Sequence, residues 1–373
     1  MGGHPDRITA LRDGPTAVRD FFLDDAADPL NSQILTQLQH RYYRPVDAAA
    51  LRRVSVDQML RQLNDPYTAY LDPSDLAHLQ DVEAGRYTGV GIEWRPQGGR
   101  AFIVRTFPDS PAAKGGVRAG DRVVRVDGHV VRAADGYAAM QRVRGPEGSA
   151  VRVDIARGSQ PVRSVRLVRR TIQEQVVQQR MIRQGGRPIG YVRLDQFTQG
   201  SAKATKAAVR DLTERGARGL VLDLRGDPGG LVSEAIGVAG IFLPKGAVVA
   251  TTSGAHEKPA TLRARGGTIA QGLPLEVLVD RGTASSSEIV SGALRDNGRA
   301  TLVGTRTFGK AVIQATVPLR GGGALKLTVA SYRTPKGEDL AARGLRPAVA
   351  ASDNPATPRD EALAAALARA ARG

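Results

Sequence analysis

The chain has no cysteine among its 373 residues, which excludes a disulfide framework and any thiolate metal site and fits an exported protein as well as a cytosolic one. No apolar run approaches the ~18 residues of a membrane span, and the opening MGGHPDRITALRDG lacks the apolar stretch of a signal peptide. Histidine is scarce. His4, His40, His78 and His129 lie outside the inferred core, and His256 sits in a polar Gly/Lys/Pro stretch. With no H-E-x-x-H or comparable cluster, neither a metal nor another cofactor is expected, and a Ser-His-Asp triad has little to draw on.

Acid is also in short supply, and the formal charge is +16. Such a balance raises nucleic acid, an anionic membrane surface or an acidic partner. The arginines are spread along the chain, however, and no basic run is interleaved with aromatics, so nucleic acid is not an expected partner. A general arginine richness accounts for the charge. The length suits two or three domains and a sizeable core.

The chemistry concentrates between Gly282 and Gln314. Gly282-Thr283-Ala284-Ser285-Ser286-Ser287 is a loop of small residues and hydroxyls, followed by Glu288. Ile289, Val290, Ala293 and Leu294 then mark the buried face of a helix, which Asn297-Gly298 stops. An apolar run from Ala300 to Val303, a glycine at 304 and a single lysine, Lys310, come next. Each part has a bland reading: Ser285 with Glu288 is a capping box, and a lone lysine beside a glycine is a solvated charge. Together they read differently. Helix, strand and turn return the chain to its start, bringing a lysine back to a serine at a loop-to-helix junction. Gln314 lies an even number of positions past Lys310, on the same face if both are in one strand. That supplies nucleophile, base and orienting group.

Thr283-Ala284-Ser285-Ser286-Ser287-Glu288-Ile289 and Thr307-Phe308-Gly309-Lys310-Ala311-Val312-Ile313-Gln314 resemble the S/T-A-S-A-S-E-I and T-F-G-K-x-x-V-Q patterns of the carboxyl-terminal processing peptidases, or tail-specific proteases. The resemblance implies a Ser-Lys serine protease on a multi-domain α/β fold, with a crotonase/ClpP-like core. It carries the nucleophile onto Ser285, the general base onto Lys310 and the supporting amide onto Gln314. Ser286 departs from the usual alanine and leaves three adjacent hydroxyls, so Ser287 stays a second candidate nucleophile. Asp223-Leu224-Arg225-Gly226-Asp227-Pro228-Gly229-Gly230 is similar to the family's D-L-R-G-N-P-G-G, with Asp227 in the asparagine position. A Gly-Gly step between strand and helix aims N–H groups at an anion. Gly229 or Gly230, with the N–H of Ser286, are therefore the expected oxyanion donors.

Four regions are expected: a helical region over 1–82, a PDZ domain over 83–169, the α/β protease core over 170–350 and a helical tail over 351–373. Leu30, Ile34, Leu35 and Leu38 share a helical face in the first region. Asn64-Asp65-Pro66-Tyr67 resembles the family segment before the PDZ domain and reads as a structural turn with packing tyrosines. Tyr87-Thr88-Gly89-Val90-Gly91-Ile92, followed by Asp109-Ser110-Pro111 through Asp127-Gly128, resembles a bacterial PDZ domain. Gly89, Val90, Gly91 and Ile92 would then form the loop that catches a peptide's terminal carboxylate, with Val90 and Ile92 lining an apolar groove beside it.

Two other functions compete. A non-catalytic PDZ scaffold on the same fold has no need of both Ser285 and Lys310. A crotonase-like acyl-CoA enzyme would rely on oxyanion amides with carboxylates and has no use for a PDZ module. The expected partners are protein or peptide substrates with free, apolar C-termini, and the reading leaves room for an adaptor protein and an oligomer. Family resemblance implies an exported, periplasmic or cell-envelope location.

Overall fold

The computed structural model describes residues 29–132, 142–256, 258–353 and 359–372. They fall into two compact units, one from residues 29–77 with 176–372 and the other over 78–175. The helical start and tail thus belong to the same unit as the core. Among the described residues no helix is long and apolar enough to cross a membrane.

The first unit is built on a six-stranded sheet in the order Val177–Gln184, Arg187–Leu194, Leu220–Asp223, Leu275–Val279, Thr301–Gly304, Val349–Ala350. The first two strands form an antiparallel hairpin, and every later pairing is parallel. The inner strands are covered on both faces, as parallel strands require. Leu220, Leu222, Val277, Val279 and Leu302 face the helices Ser201–Glu214, Val232–Phe242 and Ser286–Asp296. The alternate residues Val221, Leu278 and Val303 face the tail helix Glu361–Ala370, which buries Ala362, Leu363, Ala366, Leu367 and Ala370 against them. Its two leucines contribute about 1.5–3 kcal/mol each. Asp360 starts that helix by accepting the Leu363 N–H at 2.7 Å, and its carboxylate also binds Arg225.

A second, antiparallel sheet runs Ala69–Leu71, Ala324–Arg333, Val248–Ser253, Ala260–Arg263, with Val312–Pro318 also paired to Ala324–Arg333. The amphipathic helix Pro29–Arg41 lays Ile34, Leu35 and Leu38 on Leu325 and Leu327 of this sheet. The expected leucine face is therefore the one buried.

The second unit is a six-stranded sheet with a two-stranded ribbon, Arg86–Gly89 against Arg170–Gln173. That pairing carries the unit beyond residue 169, where sequence placed its end. Its core gathers Val90, Trp94, Ile103, Val123, Val153 and Leu167. Ser110 caps the short helix Pro111–Lys114 by accepting the Ala113 N–H at 3.1 Å. Residues 133–141 lie outside the described residues.

Candidate active site

Three loops leave the carboxyl ends of neighbouring parallel strands, where open α/β sheets present their sites. They follow Leu220–Asp223, Leu275–Val279 and Thr301–Gly304. Asp280 ties the first two together, accepting N–H bonds from Gly226 at 2.9 Å, Gly282 at 2.8 Å and Thr283 at 3.1 Å. Thr283 Oγ1 adds a bond to the Leu224 carbonyl at 2.8 Å.

Ser285 ends the second loop with φ 57° and ψ −117°, a conformation that side chains resist. Such backbone costs on the order of 1–3 kcal/mol and persists only where its surroundings impose it. It puts the serine on a sharp strand-to-helix turn, at the positive end of the helix Ser286–Asp296. The three adjacent hydroxyls now separate. Ser286 Oγ donates to the Gly230 carbonyl at 2.8 Å and Ser287 Oγ to the Asp227 carbonyl at 3.1 Å. Both serines are fully buried, whereas Ser285 keeps 9% exposure. Of the three, only Ser285 keeps any exposure.

Glu288, read from sequence as a capping residue, is the hub of the site. It is fully buried and accepts four hydrogen bonds. Its Oε2 takes the N–H of Ser285 at 3.0 Å and that of Lys310 at 2.9 Å, and Oε1 takes Thr307 Oγ1 at 2.6 Å and the Gly309 N–H at 2.8 Å. Burial pushes its carboxyl above the ordinary range, against the pull of those four donors. Tyr332 completes the frame: its hydroxyl donates to the Lys310 carbonyl at 2.6 Å and lies 3.2 Å from the Ser285 carbonyl. Gly309 makes the approach of the third loop feasible. At φ +93° a Cβ there would lie 2.8 Å from the Gly344 nitrogen and the Leu340 oxygen.

The Lys310 ammonium sits 4.9 Å from the centroid of the Tyr67 ring. Burial brings its pKa down from 10.5 to about 8, helped by the charge of Lys326 and opposed by Asp65 and Glu288. The Asp-Pro-Tyr turn therefore reaches the lysine as well as shaping the chain. Sequence reasoning missed the roles of Tyr67, Glu288 and Tyr332. The first two stood in motifs but were given structural readings, and Tyr332 opens a family-like closing segment, Tyr332-Arg333-Thr334-Pro335-Lys336-Gly337, to which no role at the site was given.

The even-offset argument for Gln314 does not hold. Lys310 precedes the strand, which starts at Val312, and a register shift falls between Ile313 and Gln314. The Gln314 Nε2 is buried without a partner among the described residues.

Gly229 adopts φ +96°, and a Cβ there would come 2.9 Å from Ser285 Cβ and 2.8 Å from the Ser286 nitrogen. It therefore walls the space beside the serine. Its own N–H is engaged, donating to Asp227 Oδ1 at 2.8 Å. The N–H groups of Gly230 and Ser286 have no partner among the described residues. The four described histidines, His40, His78, His129 and His256, are exposed.

In the second unit the Gly89–Ile92 stretch is a turn whose carbonyls face inward. Val90 O accepts from the Ala112 N–H at 2.9 Å and Gly91 O from the Phe107 N–H at 3.0 Å. Among the described residues no hydrogen bond engages the N–H groups of Val90 or Gly91. The side chains of Val90 and Ile92 are 0% and 6% exposed and belong to the core. They do not line a groove, because the core of the unit takes both side chains.

Comparison with known proteins agrees with this architecture. Residues 188–351 match the family model for peptidase family S41, and residues 104–157 match that for a PDZ domain. The chain is 35% identical over 319 residues to a carboxy-terminal-processing protease of Bartonella bacilliformis, covering 84% of this chain and 72% of that one. It is 34% identical over 337 residues to a carboxyl-terminal-processing protease of Synechocystis, covering 88% and 77%. A solved photosystem II D1 C-terminal processing protease superposes with a TM-score of 0.59 at 31% identity, covering 91% of this chain and 96% of that one.

Proposed function

Because the chain belongs to the carboxyl-terminal processing proteases of peptidase family S41, we propose that it is a serine endopeptidase in which Ser285 and Lys310 form a catalytic dyad. The observation that carries the reading is the single oxygen, Glu288 Oε2, that accepts the N–H groups of both residues. It supports a fixed nucleophile and base in one site.

In the forward reaction Ser285 Oγ attacks the scissile carbonyl while the neutral Lys310 amine takes its proton. The tetrahedral oxyanion forms beside Gly229, facing the N–H groups of Gly230 and Ser286. Lys310 then passes the proton to the departing amine. Water, deprotonated by the same amine, releases the acyl group. To Gln314, whose buried Nε2 has no partner among the described residues, we assign the donor that would orient the lone pair of the neutral lysine. The ordinary obstacle is the charge of lysine, and a pKa of about 8 removes most of it.

A PDZ domain is a peptide-binding module. We assign to residues 89–92 the capture of a substrate's terminal carboxylate through the N–H groups of Val90 and Gly91, and we place the protein outside the cytoplasm, in the periplasm or cell envelope. The test is direct. An unfolded protein incubated with the enzyme yields fragments, and Ser285→Ala lowers turnover by about 10⁴ or more. Near-normal cleavage by that variant ends the dyad.

A further inference from the structure

The loop that walls the site contains a buried acid with no role in the dyad. Asp227 is fully buried. Its backbone is spent on the nucleophile's loop: the carbonyl accepts the Ala284 N–H at 3.0 Å and Ser287 Oγ at 3.1 Å. Its side chain turns toward the oxyanion wall, where Oδ1 takes the Gly229 N–H at 2.8 Å. The other oxygen, Oδ2, is buried with no partner among the described residues.

A carboxylate needs several donors to survive burial, and this one has the Gly229 N–H, with the Ser287 hydroxyl close by but given to the backbone carbonyl. Glu288, equally buried but with four donors, is the contrast within the same site. A neutral carboxylic acid fits far better, with Oδ1 as acceptor and the proton on Oδ2. In that form it copies an amide, the group the resembling motif carries at this position.

We propose that Asp227 is a positioning residue that works as a neutral acid, and that its ionisation shuts down the oxyanion site on the alkaline side. The role assigned to Asp227 rests on the serine-peptidase reading of the site. Gly229 connects the two: its N–H is fixed by Asp227, and a Cβ on it would stand 2.9 Å from Ser285 Cβ and 2.8 Å from the Ser286 nitrogen. A negative charge there repels the oxyanion that the Gly230 and Ser286 N–H groups must stabilise.

Burial is the largest influence on the acid and pushes it up to about 8. The Gly229 N–H and the Ser287 hydroxyl pull it down, Asp195 pushes it up and Arg193 pulls it down. Those last two lie on the strand Arg187–Leu194 and directly after it; Arg193 Nε donates to Asp195 Oδ1 at 2.6 Å, and the same guanidinium is held by Asp223 at 3.7 Å and the Arg225 carbonyl at 3.1 Å. From the nucleophile loop the contacts are a hydroxyl and backbone groups, and Asp280 is occupied by the N–H groups of Gly226, Gly282 and Thr283. No free cation offsets the ionised form among these groups. Lys310 must lose its proton while Asp227 keeps its own, so activity is confined to a narrow window.

Two measurements decide it. The pH profile of kcat in the full-length enzyme is expected to rise to about pH 8 and then fall, approaching tenfold per unit. Asp227→Asn keeps the rising limb and loses the falling one. A falling limb at the same pH in that variant overturns the proposal. Independently of activity, Ser285→Ala protein labelled with ¹³C at the aspartate carboxyls is titrated by NMR. One carboxyl is expected to titrate near pH 8, and to be missing from the Ser285→Ala/Asp227→Asn double variant, or from the Asp227→Ser counterpart should the amide not fold. Titration of that carboxyl in the ordinary range near ~4 overturns the proposal. If Ser285→Ala still cleaves substrate, the dyad is wrong, and the titration still decides the state of Asp227.

Discussion

Ser285 and Lys310 are held by their backbones at two shared points. Glu288 Oε2 accepts the N–H of each, at 3.0 and 2.9 Å, and Tyr332 Oη lies 3.2 and 2.6 Å from their carbonyls. Two residues from different loops are thus fixed relative to each other before any side chain meets. Small displacements matter at this kind of site, since misplacement by about 1 Å costs on the order of 10²-fold in rate.

Glu288→Gln tests the first point. The amide keeps one acceptor oxygen for the four donors, and its NH₂ confronts two of them. Stability is expected to fall by about 2–4 kcal/mol, and kcat by about 10²-fold in the fraction that remains folded. Urea unfolding and kinetics on the same preparation separate the two effects. A kcat within threefold of the parent would show that the carboxylate does not position the dyad.

Tyr332→Phe tests the second. It leaves the Lys310 carbonyl without its donor, at a cost of about 1–3 kcal/mol. Turnover is expected to fall roughly tenfold with KM little changed, since the hydroxyl bonds the backbone carbonyls of Ser285 and Lys310. Burial raises the Tyr332 phenol well above its ordinary value, so it stays protonated throughout. The pH profile of the variant should therefore keep its shape. A shifted acid limb would mean that the hydroxyl also tunes Lys310.

On the proposed mechanism Lys310 sets that acid limb. With a pKa of about 8, the neutral amine grows about tenfold per unit as pH rises toward 8, and activity follows. The same displacement has a stability sign. The folded value lies below the unfolded one, so the unfolded chain binds more protons between about 8 and 10.5, and the enzyme gains stability as pH rises through that window. Lys310→Met lacks this dependence. At pH 7 it should be inactive yet more stable than the parent, by about 1–2 kcal/mol after allowance for solvent screening. A variant with equal or lower stability would argue against a dry lysine.

The elements most legible in the sequence were those set by local pattern. The helix Pro29–Arg41 follows from its leucine spacing, and the strand Leu220–Asp223 from an uninterrupted apolar run closed by Gly226. The strand Val177–Gln184 gave no such signal, because its residues VQQRMIRQ alternate poorly and it is fixed by pairing with Arg187–Leu194. Ser285, Lys310, Glu288 and Tyr67 stood in motifs, but the contacts that join them into one frame did not show in the sequence. Tyr332 reaches them from the second sheet, and Tyr67 from the far end of the unit's sequence. Gln314 was placed by strand alternation, and a bulge defeats alternation. Val90 and Ile92 were assigned to a groove on the strength of being apolar, which equally describes a core residue.

Selection of the substrate end tests the second unit. Val90 and Gly91 present adjacent N–H groups without partners among the described residues, while their carbonyls are bound inward by Ala112 and Phe107. Adjacent amide donors of this kind favour a negative group. With the Val90 and Ile92 side chains buried, the discrimination carried by this loop is for the carboxylate itself, and any preference for an apolar last residue must come from elsewhere. Two substrates identical except at the end, one a free Leu-Ala-Ala tail and the other its amide, should therefore separate at limiting concentration. The free tail is expected to be cut about tenfold faster, equivalent to ~1.4 kcal/mol, within the range of a charge-assisted hydrogen bond. The gap should appear in KM, and it should close when both tails are saturating. Gly91→Val places a side chain where a Cβ would stand 2.2 Å from Ser110 Cβ, at φ +78°, and should displace the loop and erase the gap without removing cleavage of the amide. Equal rates for the two tails in the parent enzyme would show that this turn is part of the fold and reads no terminus.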